Sequence, residues 1–124
     1  MHYHVILTIK YRNRCINAAM LARLRDIFTD CCRSWRCELV EFNGESDYVH
    51  LLIDAQPSMN LARMIGNLKT VSSRLIRKEF ADHLANYFWK VRFWNNAYGV
   101  VTAGGHASID ALLAYIQDQE SPPT

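Results

Sequence analysis

The sequence predicts an α+β domain, an antiparallel sheet with helices packed on it, and three observations carry that reading. A strand-period alternation opens the chain, two long segments repeat their apolar residues at helical spacing, and an Asn-Gly pair separates two β-rich runs. With 124 residues, 50% of them apolar, the chain can bury one compact core but is too short for two ordinary domains. Residues 1–124 are therefore read as a single domain with a flexible tail from about residue 120.

From His2 to Ile9, Tyr3, Val5, Leu7 and Ile9 alternate with His2, His4, Ile6 and Thr8, the pattern of a strand. Lys10 to Arg14 follows as a basic loop. Asn17 is placed to cap a helix in which Met20, Leu21, Leu24, Ile27, Phe28, Cys31 and Trp35 form the core-facing stripe. Glu38 to Phe42 and Tyr48 to Ile53 flank Asn43-Gly44-Glu45-Ser46, and Asn-Gly between such runs signals a hairpin. Asn60 opens a second helix whose apolar positions run from Leu61 to Phe80. Phe88 to Trp94 and Tyr98 to Thr102 read as another strand pair turning at Asn95-Asn96. Gly104-Gly105 breaks the chain, and Ser108 is placed to cap a last helix reaching about Gln119. The expected order is β-α-β-β-α-β-β-α.

The formal charge of +2 means that any nucleic-acid footprint must come from clustered basic residues, not bulk charge. Cys15, Cys31, Cys32 and Cys37 include no Cys-x-x-Cys pair and no matching Cys/His tetrad, which argues against structural zinc and for reduced thiols. The apolar start is cut short by Lys10, Arg12 and Arg14, too soon for a membrane span and wrong for a signal peptide, so a cytoplasmic protein is expected.

On the last helix Ile109, Leu112, Leu113 and Ile116 make a buried stripe, with Tyr115 and Gln119 together on its flank. Four residues apart, a phenol and an amide can converge on one small site. Such a pair suits phosphoryl transfer, the amide oxygen holding a metal and the phenol attacking phosphorus. Taken alone, the spacing favours the plainer reading, a tyrosine at a core edge beside a solvated glutamine. On the strand after the hairpin, Tyr48, His50 and Leu52 share one face.

The segment Asp47-Tyr48-Val49-His50-Leu51-Leu52 resembles the Asp-His-hydrophobic-His-Leu-Leu element of the HUH transposases, in which two histidines on one strand face hold a divalent ion. The wider resemblance is to the small single-tyrosine transposases called TnpA, of the insertion-sequence two-hundred/six-hundred-five group, and to their relatives associated with repetitive extragenic palindromes. It runs through Tyr3-His4 and Lys10-Tyr11-Arg12, Leu68-Lys69 with Ser72-Ser73-Arg74-Leu75 and Lys78-Glu79-Phe80, Phe93-Trp94 with Tyr98, and Tyr115-Ile116 with Gln119. This resemblance implies a ferredoxin-like or RNA-recognition-like sheet. It also implies a homodimer in which the tyrosine helix of one subunit completes the metal site of the other. The implied reaction cuts single-stranded DNA beside hairpins, through a 5′-phosphotyrosine on Tyr115, with Mg²⁺ or Mn²⁺ held by His50 and Gln119.

The sequence departs from the family at Tyr48, which stands where the first histidine would be and is a far poorer ligand when neutral. Either the site works with His50, Gln119, water and DNA oxygens, or activity has been lost, by drift or by deliberate substitution. On the second helix Arg63, Asn67, Thr70, Arg74, Arg77 and Lys78 share a sector from which Lys69 and Glu79 are excluded. The run from Tyr87 to Trp94 interleaves aromatics with Lys90 and Arg92, a composition suited to stacking unpaired bases. Lys10, Arg12, Arg63, Arg74, Arg77, Lys78, Lys90 and Arg92 are thus the expected DNA contacts, with Arg14 as a further phosphate contact; the α2 sector also fits a solvated charged face, and His106 either orients a phosphate or caps the turn. Two other functions fit the same residues: a domesticated nuclease acting on palindromic repeats, and a single-strand nucleic-acid binder that does not cut.

Overall fold

The computed structural model describes residues 1–87, 92–102 and 109–120, with side chains of the last helix through residue 116. Strand β1 (His2–Ile9) leads through a short 3-10 turn (Lys10–Arg12) to helix α1 (Ala18–Ser34). A hairpin of β2 (Glu38–Gly44) and β3 (Tyr48–Asp54) follows, then α2 (Leu61–Glu79), a single-turn α3 (Ala81–Leu84), β4 (Trp94–Thr102) and α4 (Ile109–Glu120). The four strands form one sheet in the order β2-β3-β1-β4, and each neighbouring pair is antiparallel. This is the split βαβ arrangement of the ferredoxin-like fold.

Both long helices begin where the sequence places their caps. Asn17 Oδ1 accepts from the Met20 backbone N–H at 2.8 Å, and Asn60 Oδ1 accepts from that of Arg63 at 3.1 Å, each satisfying one of the donors a helix start leaves open. The apolar stripes of α1 (Met20, Leu24, Ile27, Phe28) and α2 (Met64, Ile65, Leu68, Ile76) bury against Val5, Leu7 and Ile9 of β1 and Val49, Leu51 and Ile53 of β3. Across the sheet, Ile6 packs with Leu112 and Ile116 of α4. No helix among the described residues is long and apolar enough to cross a membrane.

Three expected features differ. Asn43 and Gly44 lie inside β2, opposite His50 and Val49, and the turn falls at residues 45–48, where the Glu45 N–H donates to the Tyr48 carbonyl at 2.9 Å. Glycine is required at 44 for space, since a Cβ there would stand 2.6 Å from Leu21 Cδ1 and 2.9 Å from the Tyr48 carbonyl. Asn95-Asn96 does not turn the chain; it lies within β4, which runs unbroken from Trp94 to Thr102. Its register against β1 shifts between Leu7 and Ile9, and buried Asn95 donates from Nδ2 to Thr8 Oγ1 at 3.3 Å. Tertiary pairing thus overrides a local turn signal. Ile109, expected in the buried stripe of α4, is exposed at the helix start, and Leu112 and Ile116 make the contact. Residues 88–91, Gly104-Gly105, the Ser108 cap and the tail after residue 120 lie outside the described residues.

Helix α4 approaches the sheet closely because Gly99 sits beneath it: a Cβ there would lie 3.2 Å and 3.3 Å from Leu112 Cδ2 and Cβ. Gly99→Val should therefore lift α4 and destabilise the protein by about 1–3 kcal/mol, the usual range for overpacking. Urea unfolding checks this, and an unchanged midpoint would mean that α4 does not depend on close packing there.

Candidate active site and nucleic-acid interface

The pairing of β1 with β3 sets what stands beside His50. Ile6 is its direct cross-strand partner, His4 pairs with Leu52, and Thr8 pairs with Tyr48. Side chains alternate, so His4, Ile6 and Thr8 share a face with Tyr48, His50 and Leu52, the face on which α4 packs. His4 is the diagonal neighbour of His50, and its Nδ1 lies 2.8 Å from His50 Nε2 in a shared hydrogen bond. The rings are nearly parallel, at 13°, with centroids 5.1 Å apart. That separation is little more than the N···N distance plus the two ring radii, so the rings meet edge to edge, not face over face.

His50 is only 6% exposed. Burial, followed by the charge of His4, pushes its pKa down against the opposing pull of Glu41, which favours the neutral ring that ligates metals. Tyr48 is shifted upward by burial and by the carboxylates of Glu45, Asp47 and Asp110, so its phenol is held neutral and remains a weak ligand. Asp47 is committed elsewhere: its carboxylate accepts from Arg12 Nε at 3.0 Å and Nη2 at 2.8 Å. That pair braces the turn after β1, where Tyr11 and Arg12 both adopt positive φ, 58° and 54°. Arg12 is thus anchored at the base of the site, and Tyr11 beside it is exposed.

Tyr115 is on the outer side of α4, 56% exposed, while Leu112 and Ile116 of the same helix face the sheet. Gln119 follows it in α4. The Gln119 side chain, Lys90 and His106 lie outside the described residues. Among those described, no group of three His, Cys, Asp or Glu side chains could hold a metal.

A second surface forms where α2 meets the start of β4. Lys69, Thr70, Ser73, Arg74, Arg77 and Lys78 of α2, with Arg92, Phe93, Trp94 and Asn96, line a groove of about 640 Å³. Its floor is tied by Trp94 Nε1 donating to the buried Ser72 Oγ at 2.8 Å. Lys69 lies off the basic sector by helical phase, yet it reaches the groove: its ammonium donates to the carbonyls of Asn95 at 2.7 Å and Asn96 at 3.1 Å. Burial, then Arg92 and Lys10, push its pKa down, which places Lys10 in the same electrostatic neighbourhood. Arg92 is held by Asn96 Oδ1 at 2.6 Å. Arg63 does not line the groove, and Asn67 instead accepts from Trp35 Nε1 at 3.0 Å. Glu79 points away as expected, paired with Arg23 of α1 at 2.7 Å and 3.1 Å.

The family model described as "Transposase IS200 like" matches residues 1–119. The chain belongs to this transposase family. Over 119 residues it is 26% identical to the ISDra2 transposase TnpA of Deinococcus radiodurans, covering 96% of this chain and 84% of that protein. It is likewise 26% identical over 117 residues to the transposase for insertion sequence element IS200 of Salmonella typhimurium, covering 94% and 75%. Among solved structures, a Deinococcus radiodurans R1 chain assigned as a transposase superposes with a TM-score of 0.83 at 30% identity, covering 98% of this chain and 92% of that one. A REP-associated tyrosine transposase bound to a REP hairpin shares the fold alone, with a TM-score of 0.59 at 8% identity, covering 93% and 61%.

For this IS200-like transposase the groove gives a direct expectation. Arg74 and Lys78 are exposed, so replacing both with alanine should leave the fold intact. It should weaken DNA binding and, on a single-stranded probe, reduce the slope of log K against log salt by about 1.4, at roughly 0.7 per phosphate contact. A salt titration of binding with an unchanged slope would show that phosphates are held elsewhere.

Proposed function

We propose that this transposase cleaves and rejoins single-stranded DNA at hairpin-bearing element ends through a 5′-phosphotyrosine on Tyr115, with a divalent ion, Mg²⁺ or Mn²⁺, at His50 and Gln119. The observation that carries the reading is a phenol left 56% exposed on the outer side of α4, away from the Leu112 and Ile116 contact with the sheet, within a chain that belongs to a transposase family. An exposed phenol can reach a phosphodiester without any rearrangement of the core, whereas Tyr48, packed beside the α4 contact and held neutral, is poorly suited to attack.

In the proposed step the Tyr115 oxygen attacks phosphorus, an O–P bond to tyrosine forms, and the P–O3′ bond breaks. Solvent accepts the phenol proton and supplies one to the departing 3′ oxygen. When bound, a divalent ion held by His50 and Gln119 would polarise the phosphorus and steady the charge on the leaving oxygen. The buried imidazole of His50 offers a neutral nitrogen from a rigid strand, and the groove cations hold flanking phosphates in register. Rejoining is the same exchange in reverse, with the 3′ hydroxyl attacking the phosphotyrosine.

Tyr115 points outward from α4 while His50 lies on the sheet face beneath that helix, and this opposition supports a homodimer in which Tyr115 of one subunit serves the ion of the other. A protein that stays monomeric in sedimentation with DNA bound would remove that part of the reading. The solved relative with a REP hairpin supports a hairpin substrate here, and a cytoplasmic location suits such a substrate. A second reading, a binder of single strands that does not cut, is favoured by Tyr48 alone.

Incubation with hairpin-bearing single-stranded DNA and Mn²⁺ should give a covalent protein–DNA band on a denaturing gel. The band should vanish in Tyr115→Phe and strengthen in Tyr48→His. Normal DNA affinity with no band under either metal, in both the parent and Tyr48→His, would leave the non-cutting binder.

A further inference from the structure

His4 is given no part in holding a metal by the motif resemblance. It comes from β1, a different strand from the one that carries the motif, and it reaches His50 only through the diagonal of the β1–β3 pairing. The 2.8 Å contact between His4 Nδ1 and His50 Nε2, with rings 13° from parallel and edge to edge, points the two in-plane nitrogens at one another across a single small gap. Such a pair of nitrogens has two uses: one donates a proton to the other, or both present lone pairs to a cation. In the second case both rings turn until their lone pairs converge on one point, and metal–nitrogen bonds of about 2.1 Å at roughly a right angle then set the nitrogens about 3.0 Å apart. Rotation of the two side chains, more than a change in their separation, supplies that.

We propose that His4 is the second imidazole ligand of the metal site, supplying from β1 the nitrogen that Tyr48 does not supply from β3. This rests on the transferase reading for its purpose but not for its test. When the ion binds, the ring that donates in the shared hydrogen bond moves its proton to its other nitrogen through solvent. Both contact nitrogens then bear lone pairs, and no net proton is released. Exposed Glu41 and Asn43 border the same face, opposite Leu52 and His50, leaving polar surroundings for water and substrate oxygens to complete the shell. Two imidazoles also bias the choice of ion: nitrogen-rich sites suit Mn²⁺, Co²⁺ or Zn²⁺ better than Mg²⁺, which prefers oxygen and its own water.

The test uses the full chain and metal alone. Mn²⁺ titrated into the protein, with free Mn²⁺ followed by electron paramagnetic resonance, should bind at least about tenfold more weakly to His4→Ala and to His50→Ala than to the parent. Tyr48→Phe should bind as the parent does. Pulsed resonance on the Mn²⁺-loaded parent should count two coordinated imidazole nitrogens, and one in His4→Gln, which keeps the packing volume if His4→Ala does not fold. One imidazole in the parent, or unchanged affinity in a folded His4 variant, would overturn the assignment. A Tyr115–DNA adduct formed with a single-imidazole ion would leave the transferase reading standing while His4 falls. Two imidazoles without any adduct would uphold His4 and remove the transferase reading.

Discussion

The antiparallel register between β1 and β3 is the constraint from which the rest of the site follows. From His2 opposite Asp54 to Thr8 opposite Tyr48 the pairing is continuous, so even-numbered side chains of both strands rise together on one face and odd-numbered ones on the other. The odd set, Val5, Leu7, Ile9, Val49, Leu51 and Ile53, is apolar and fully buried beneath α1 and α2. A slip of one residue would send His4 and His50 into that core and expose the aliphatic set. The hydrophobic effect that stabilises the main core therefore also fixes the two imidazoles beside one another, with no local interaction needed to select their position.

The two candidate surfaces are served by opposite sides of the sheet. Helix α2, which supplies most of the groove, packs on the odd face, whereas α4 and the imidazole pair belong to the even face. Strand β4 is the outer strand between them, and it contributes Trp94 and Asn96 to the groove and Gly99 to the seat of α4. A substrate touching both surfaces has to pass this strand. The Trp94–Ser72 hydrogen bond and the Lys69 contacts to the Asn95 and Asn96 carbonyls lock β4 to α2 at that point. The rigidity a positioned phosphate needs thus comes from a buried joint and not from the basic side chains themselves.

Much of this was legible in the sequence because it is local. Alternation in β1, the stripes of α1 and α2 and their Asn17 and Asn60 caps depend on residues a few positions apart, and each lies where the pattern puts it. The basic sector of α2 was legible too, except for Lys69, whose long stem carries its ammonium across to β4 from a backbone position off the sector. Features that depend on distant partners were not. Asn95-Asn96 has the composition of a turn, but pairing with β1 and burial of Asn95 against Thr8 keep it in a strand. His4 was correctly placed on the even face of its strand, yet nothing in the chain order says that β1 lies beside β3 with Ile6 opposite His50. Alternation gives the face of a residue; only register gives its neighbour.

The most direct measurement of the central claim is peptide mapping, by mass spectrometry, of the protein after reaction with hairpin-bearing single-stranded DNA and Mn²⁺. The account places a nucleotide, joined through its 5′ phosphate, on the peptide that contains Tyr115. Attachment to Tyr48 or to any other side chain would contradict it, as would cut DNA whose 5′ phosphate is never joined to the protein.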